Sequence, residues 1–128
     1  MTDSKFLDSS AWLSYFYAEN KEIKPIIDSD ILILTSTLSI FEIKNKFTKD
    51  KIDFLKLEHS IKVIKNRSLI IDVDLEIAER AVEFSIKNNL SAVDSLIYSS
   101  ALKNNSVLIT LDNDFRSLNN VLILDKNS

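Results

Sequence analysis

Short, continuously apolar runs alternate along this chain with longer segments in which apolar residues recur at helical spacing. The short runs predict β-strands, because strands that are covered on both faces lack the polar–apolar alternation of half-exposed strands. The predicted strands are KFL (5–7), ILIL (31–34), SLIID (68–72), VLIT (107–110) and VLIL (121–124).

The longer segments predict helices with one apolar side, as in the third, where Leu38, Phe41 and Phe47 are expected to point inward. Strands that alternate with helices predict parallel, right-handed crossovers and a three-layer α/β sandwich with helices on both faces of a parallel sheet. We expect a single domain over residues 1–128. The predicted helices span residues 11–20, 22–28, 37–47, 52–66, 75–89 and 91–105.

The composition narrows the chemistry that this chain can perform. It has no glycine, which excludes the usual glycine-rich phosphate loops, and no cysteine, which excludes disulfides and thiolate metal sites. The single histidine, His59, is expected on a helix surface, so a histidine-based zinc cluster is impossible. Carboxylates, hydroxyls and amines remain, and carboxylates favour hard cations such as Mg²⁺ or Mn²⁺.

No apolar run approaches the ~20 residues that a membrane span requires, and the start MTDSKFLDSS lacks the pattern of a signal peptide. These features predict a cytoplasmic protein that does not associate with membranes. Without glycine, the turns must rely on Asn, Asp and Ser. Asn88–Asn89 and Asn104–Asn105 stand where helix C-caps are expected, and Asn tolerates the left-handed conformation found there.

Five acids fall at the carboxyl edge of the predicted sheet, where strands end and the following helices begin. This edge is where open α/β sheets bind ligands, at the point where the strand order reverses. The acids are Asp8, Glu42, Asp94, Asp112 and Asp114.

Each acid also has a purely structural interpretation. Asp8 fits a helix N-cap, SIFE (39–42) and SAVD (91–94) resemble capping boxes, and LDND (111–114) fits an Asx turn. Asp74 follows a strand in the same way and is interpreted as a plain N-cap. Position at the carboxyl edge therefore does not by itself identify a site.

Four motifs in order make the chain resemble a PIN domain, in particular the VapC-type toxin ribonucleases of toxin–antitoxin pairs. FLDSSAW is similar to the family's opening Asp, TSTLSIFEI to its strand exit and helical Glu, LSAVDSLIYSSAL to its Asp-bearing helix, and LITLDNDF to its Thr-x-Asp-x-Asp-Phe ending. One departure concerns a glycine that commonly precedes the third motif, where this chain has Asn89–Leu90.

The resemblance implies a strand order of 3-2-1-4-5, with Asp8 and Asp94 flanking the switch point between the first and fourth strands. It implies a catalytic set of Asp8, Glu42, Asp94 and Asp112, of which Asp8, Asp94 and Asp112 hold Mg²⁺ or Mn²⁺. Asp114 would be an accessory acid, and Ser9 and Thr110 would bond the acids or a metal-bound water.

The resemblance implies the activity of an endoribonuclease, in which metal-activated water attacks the phosphorus of an RNA phosphodiester. It also implies the role of a type II toxin with a cognate antitoxin partner. It also implies a homodimer, for which Phe54 and Leu57 are candidate contacts. The small size favours a toxin over an RNA-processing nuclease of the same family.

The charge pattern is less informative about the RNA substrate. The net charge is −3 and the sequence pI is about 5.1, which is not the footprint of a nucleic-acid-binding protein. Lysines cluster locally in KNKFTKDK, which can be phosphate contacts or a solvated helix end. The candidate RNA-binding residues are Lys44, Lys46, Lys49 and Arg116, with Lys51 at the end of the cluster.

Two rival functions use the same scaffold. A phospho-acceptor signalling domain would employ Asp72, Thr110 and Lys126, but FLDSS offers one Asp where that class needs an acid pair. The second rival function is that of a PIN-like domain that only binds RNA or protein. The presence of all the family's acids disfavours this function.

Overall fold

Five parallel strands form one sheet in the order β3-β2-β1-β4-β5 in the computed structural model, which describes residues 4–126. The implied strand order is confirmed. β1 lies at the centre and pairs with both β2 and β4, so the chain reverses its direction of travel across the sheet at β1. The strands are β1 Lys5–Leu7, β2 Ile33–Ser36, β3 Leu69–Ile71, β4 Val107–Thr110 and β5 Val121–Ile123.

Six α-helices of residues 4–126 connect the strands, each within a few residues of its predicted range. The longest, α4 and α5, have 14 residues each, and no helix of residues 4–126 is long and apolar enough to cross a membrane. The helices are α1 Ser9–Phe16, α2 Ile23–Asp28, α3 Thr37–Lys49, α4 Phe54–Arg67, α5 Leu75–Asn88 and α6 Ala92–Lys103, and a 3₁₀ turn covers Asn113–Phe115.

Two hydrophobic cores, one on each face of the sheet, confirm the three-layer sandwich. Phe6 and Leu7 are adjacent on β1 and belong to different cores, because successive side chains of a strand point to opposite faces. α1 to α4 cover the Leu7 face, where Trp12 is fully buried, and α5 and α6 cover the Phe6 face with residues such as Ile97. His59 is exposed on α4, as predicted.

Some predictions about the orientation of apolar residues are wrong. Phe41 was expected inward, but it is 68% exposed. The buried positions of α3 are Ser39, Ile43 and Phe47, spaced four residues apart, and Phe41 lies about 200° around the helix from Ser39. Leu57, proposed as a dimer contact, is 6% exposed and packs in the chain's own core.

The second strand also lies two residues later than predicted, because its last two residues are polar. Thr35 is fully buried, yet its hydroxyl donates to the Leu7 carbonyl (2.6 Å) and accepts from the Trp12 indole (3.1 Å). A buried hydroxyl is tolerated when its hydrogen bonds are made. A prediction from the apolar pattern alone therefore places the end of the strand too early.

Left-handed residues at the turns take the place of the missing glycines. Asn89 ends α5 with φ 55° and Asn105 follows α6 with φ 53°, so the predicted asparagine caps are confirmed. The other residues with positive φ among those described are Ala18, Lys51 and Asn120.

Candidate metal centre

The predicted acids meet at the carboxyl ends of two neighbouring strands. Asp8 directly follows β1, and Asp112 and Asp114 follow β4, which pairs with β1. Asp94 lies in the first turn of α6, the helix that leads into β4. The site therefore stands at the switch point of the sheet, where open α/β folds bind ligands.

Asp8 is the most buried acid of the site and is held by three hydrogen bonds. One carboxylate oxygen accepts from the Ser10 hydroxyl (2.6 Å) and the Ala11 backbone N–H (3.0 Å), and the other accepts from the Thr110 hydroxyl (2.5 Å). The bond from Ala11 makes Asp8 the N-cap of α1, as its structural interpretation predicted. The same bonds fix the carboxylate between the ends of β1 and β4.

Three further carboxylates lie close together. Asp94, Asp112 and Asp114 each offer an oxygen atom, and these atoms all lie within 4.8 Å of one another. Asp112 also accepts a hydrogen bond from the backbone N–H of Asp114 (2.9 Å), which holds the 3₁₀ turn and confirms the predicted Asx turn. Asp114, predicted as an accessory acid, thus stands beside Asp94 and Asp112, whereas Asp8 is outside this group of three.

Glu42 approaches the cluster from α3. Its carboxylate accepts a hydrogen bond from the Ser9 hydroxyl (2.9 Å), and its charge contributes to raising the pKa of Asp94. The proposed SIFE capping box is wrong, because the N-cap of α3 is Ser36 and not Ser39: the Ser36 hydroxyl accepts from the Leu38 N–H (3.1 Å). Glu42 lies in the second turn of α3, so it is free of a capping role.

Burial and mutual repulsion disfavour the ionised forms of two of these acids. Burial, and then the charges of Asp112, Glu42 and Asp114, raise the pKa of Asp94 from 3.8 to about 6. Burial raises the pKa of Asp8 to about 6 as well, partly offset by its bonds from Ser10 and Thr110. In residues 4–126, none of the ion pairs between a basic and an acidic side chain involves an acid of this site.

The donor set fits a hard divalent cation. It consists of carboxylate oxygens and nearby hydroxyls, which are the ligands that Mg²⁺ and Mn²⁺ prefer. The repulsion among Asp94, Asp112 and Asp114 is of the kind that a bound cation relieves, since no basic side chain of residues 4–126 forms an ion pair with them.

Ser10 belongs to the site and was missed by the sequence reasoning. Its hydroxyl donates to Asp8, accepts from the Leu111 backbone N–H (2.9 Å) and lies 3.3 Å from the Thr110 hydroxyl. The Thr110 hydroxyl in turn accepts from the Asp112 N–H (3.0 Å). The available signal was that Ser10 is the second serine of FLDSS and directly follows Ser9, which was predicted to belong to the site.

The candidate RNA-binding residues lie on the exposed surface. Lys44 contacts Glu58 at 3.9 Å, and Lys46 contacts Asp50 at 3.4 Å. Lys49 and Lys51 are exposed near the end of α3, and Arg116 is exposed just after the 3₁₀ turn. Their contact with RNA stays a prediction.

Comparisons with known proteins agree with this architecture. A family model of the PIN domain matches residues 5–121. No curated protein sequence matches the chain.

Several solved structures share the fold at low sequence identity. A toxin–antitoxin complex from Klebsiella pneumoniae has a TM-score of 0.76 and 21% identity, over 92% of this chain and 95% of that one. VapBC2 from Rickettsia felis, bound to a DNA fragment from its promoter, has a TM-score of 0.78 and 16% identity over 95% and 98% of the two chains. VapC20 from Mycobacterium tuberculosis, a toxin that cleaves the sarcin–ricin loop, has a TM-score of 0.70 and 16% identity over 88% and 93%.

Proposed function

The chain belongs to the PIN domain family, and we propose on that premise that it is a metal-dependent endoribonuclease and the toxin of a type II toxin–antitoxin pair. The observation that carries the proposal is the cluster of carboxylates at the switch point, which no basic side chain of residues 4–126 neutralises. A cluster of this kind is costly unless a bound cation offsets its charge, and such a cation can in turn hold an anionic substrate.

The residues divide into ligands and supports. Asp94, Asp112 and Asp114 are the proposed ligands of Mg²⁺ or Mn²⁺, with Asp8 as a fourth. When bound, the ion supplies a nucleophilic water near neutral pH and offsets the charge that builds up on the phosphodiester. Ser10 and Thr110 would keep Asp8 oriented, because their hydroxyls hold both of its oxygens.

Glu42 is the proposed acceptor for the proton of the attacking water. Its bond from Ser9 fixes the carboxylate, and it stands outside the group of three acids. Attack of the water on phosphorus forms one P–O bond and breaks another, which leaves a phosphate on one RNA fragment and a hydroxyl on the other. Lys44, Lys46, Lys49 and Arg116 are the proposed contacts to the RNA, and among them Lys44, Lys49 and Arg116 are the proposed contacts to the phosphates that flank the cleaved bond.

The similar structures support the choice of substrate and partner. VapC20 is a toxin that cleaves the sarcin–ricin loop, and the Klebsiella and Rickettsia structures contain toxin–antitoxin pairs. We therefore expect single-stranded or looped RNA as the substrate and a cognate antitoxin that covers the acidic groove, with an Arg or Lys directed at the acids. A homodimer and a cytoplasmic location complete the proposal.

Cleavage assays test the activity. Purified protein free of antitoxin, incubated with structured RNAs, should cut them with Mg²⁺ or Mn²⁺ and not with a chelator. The double variant Asp8→Asn, Asp94→Asn should be inactive. Asp74→Asn is the matched control, because Asp74 also follows a strand and caps a helix but lies outside the site; it should cut like the parent. Equal cutting by the double variant would identify a contaminating nuclease and refute the proposal.

A further inference from the structure

A cavity of about 440 Å³ lies between α1 and the end of α3, beside the acidic site. Cavities of this size hold small organic groups. The residues that matter here are Ser10, Leu13, Tyr17, Lys46, Asp50 and Leu111.

Three of these residues, Ser10, Leu111 and Lys46, join the cavity to the acids. The Ser10 hydroxyl bonds both the Asp8 carboxylate and the Leu111 N–H, and Leu111 directly precedes Asp112. On α3, Lys46 follows Glu42 by four residues, so both lie on one face about 6 Å apart along the helix. A polynucleotide with one phosphate at the acids therefore reaches the cavity within about one nucleotide.

The lining of the cavity suits a nucleobase better than a phosphate. Leu13 and Leu111 are apolar, whereas Lys46 and Asp50 place a hydrogen-bond donor 3.4 Å from an acceptor. A second pair, Lys126 and Glu19, lies at 3.5 Å. Two positive and two negative side chains cancel, so an anion gains little, while a neutral ring with donors and acceptors on its edge finds partners for both.

Tyr17 supplies an aromatic surface of fixed orientation. Its hydroxyl donates to Asp50 (3.0 Å), and its ring meets Phe47 edge to face at 5.8 Å and 82°. The residue is nevertheless 38% exposed. A ring that is already fixed loses little conformational freedom when a base stacks on it, and unpaired bases of RNA are commonly bound by stacking on aromatic side chains.

We propose that this cavity binds the base of the nucleotide next to the cleaved bond, with Tyr17 stacking on the base and the Lys46–Asp50 pair bonding its edge. The inference rests on the proposed RNA cleavage and deepens it, since a base-binding cavity beside the acids gives the enzyme a preference for one base near the cut.

Binding of small probes tests the cavity without catalysis. The full chain is titrated in chelator with each nucleoside 5′-monophosphate and with ribose 5-phosphate, and backbone NMR shifts are followed. The nucleotides should shift Tyr17, Lys46 and Leu111, one base more strongly than the others, and ribose 5-phosphate should not. Equal shifts with ribose 5-phosphate, or no shifts at tens of millimolar nucleotide, would overturn the proposal.

Variants separate the base cavity from general effects on the fold. Tyr17→Leu should weaken nucleotide binding roughly 5- to 150-fold, the range of one base–aromatic stack. Lys46→Ala should reduce the difference between bases. The matched controls are Tyr15→Leu and Lys24→Ala, which line a different cavity around α1 and α2 and should bind like the parent. Equal losses in the controls would overturn the assignment.

Cleavage of RNA oligonucleotides that differ in one base beside the cut distinguishes this inference from the proposed function. The Tyr17→Leu variant should still cut, but its cleavage rates should differ less between the oligonucleotides than those of the parent. An unchanged base preference refutes the proposed base-binding cavity and does not affect the proposed nuclease activity. Nucleotide binding at Tyr17 without any cleavage by the parent refutes the nuclease and leaves the cavity.

Discussion

At the scale of single residues, the acids of the site are positioned by the same hydrogen bonds that begin the neighbouring elements. Asp8 accepts from Ala11 at the start of α1, and Asp112 accepts from Asp114 in the 3₁₀ turn. Ser91 caps α6 by accepting from the Asp94 N–H (3.2 Å). A capping role and a role at the metal site are thus compatible for one carboxylate, because a carboxylate has about four acceptor positions.

Asp94→Asn tests whether repulsion or helix capping dominates at that position. Two carboxylates ~5 Å apart repel by roughly 3 kcal/mol at an effective dielectric of ~20 before screening, whereas the helix-dipole contribution is ~0.3–1 kcal/mol. We therefore expect Asp94→Asn to melt at a higher temperature than the parent in chelator. The stabilisation of the parent by millimolar Mn²⁺ should shrink in the variant, because it follows occupancy of the folded site.

Asp74→Asn is the control in the same melting experiment. Asp74 caps α5 and pairs with Lys103, so its loss should lower the melting temperature and leave the response to Mn²⁺ unchanged. If Asp94→Asn also melts lower than the parent in chelator, and neither the parent nor Asp94→Asn responds to Mn²⁺, Asp94 only stabilises the start of α6 and the metal centre is refuted.

The raised pKa values predict how stability depends on pH. Asp8 and Asp94 hold protons more tightly in the folded state, with pKa values near 6, than in the unfolded chain. Their contribution therefore favours folding at low pH and is lost as the pH rises from about 4 to about 6, by roughly 3 kcal/mol for a fully buried group. Other groups titrate as well, so the difference between variants is the informative quantity.

Urea denaturation in chelator measures this difference. Relative to the parent, Asp8→Asn should gain free energy of unfolding between a pH near 4 and a pH near 7, because an amide carries no charge to bury. A difference that stays constant over this range would contradict the raised pKa of Asp8.

At the scale of elements, the start of α3 offers a second test. The Ser36 hydroxyl caps the helix, whereas the Ser39 hydroxyl is buried and has no hydrogen-bond partner among residues 4–126. Ser36→Ala should cost about 1 kcal/mol of unfolding free energy. Ser39→Ala should be neutral or stabilising, because it removes an unpaired buried hydroxyl. Denaturation curves that show the larger loss for Ser39→Ala would place the helix start at Ser39 instead.

At the scale of the whole molecule, exposed apolar residues bear on the proposed homodimer. Phe54 is 69% exposed at the start of α4, and Leu57, one turn later, is buried. We expect a dimer at tens of micromolar by analytical ultracentrifugation, which Phe54→Ser should weaken without lowering the stability of the monomer.

Leu57→Ser gives the contrasting result. It should destabilise the fold by roughly 2–5 kcal/mol, the range for large losses of apolar volume in a core. A parent protein that sediments as a monomer at these concentrations would contradict the dimer, and a dimer that Phe54→Ser leaves unchanged would place the interface elsewhere.

The sequence by itself determined the succession of elements, the parallel sheet and the edge on which the acids lie. KFL and VLIT are strands at their predicted residues, and Asn89 adopts the left-handed conformation expected of a C-cap. These features depend on apolar periodicity, on backbone preferences and on chain order, all of which act over a few residues. The four motifs added the strand order and the choice of acids through family resemblance.

Only the tertiary structure decided which side chains meet. It grouped Asp114 with Asp94 and Asp112, and it brought Ser10 to the Asp8 carboxylate. It also turned Phe41 outward. The pairing of β1 with β4 joins residues about a hundred positions apart, and the rotation of a helix follows from the residue at which it begins. Neither the register between strands nor that starting residue is contained in a local pattern, because both are set by how the elements pack against one another.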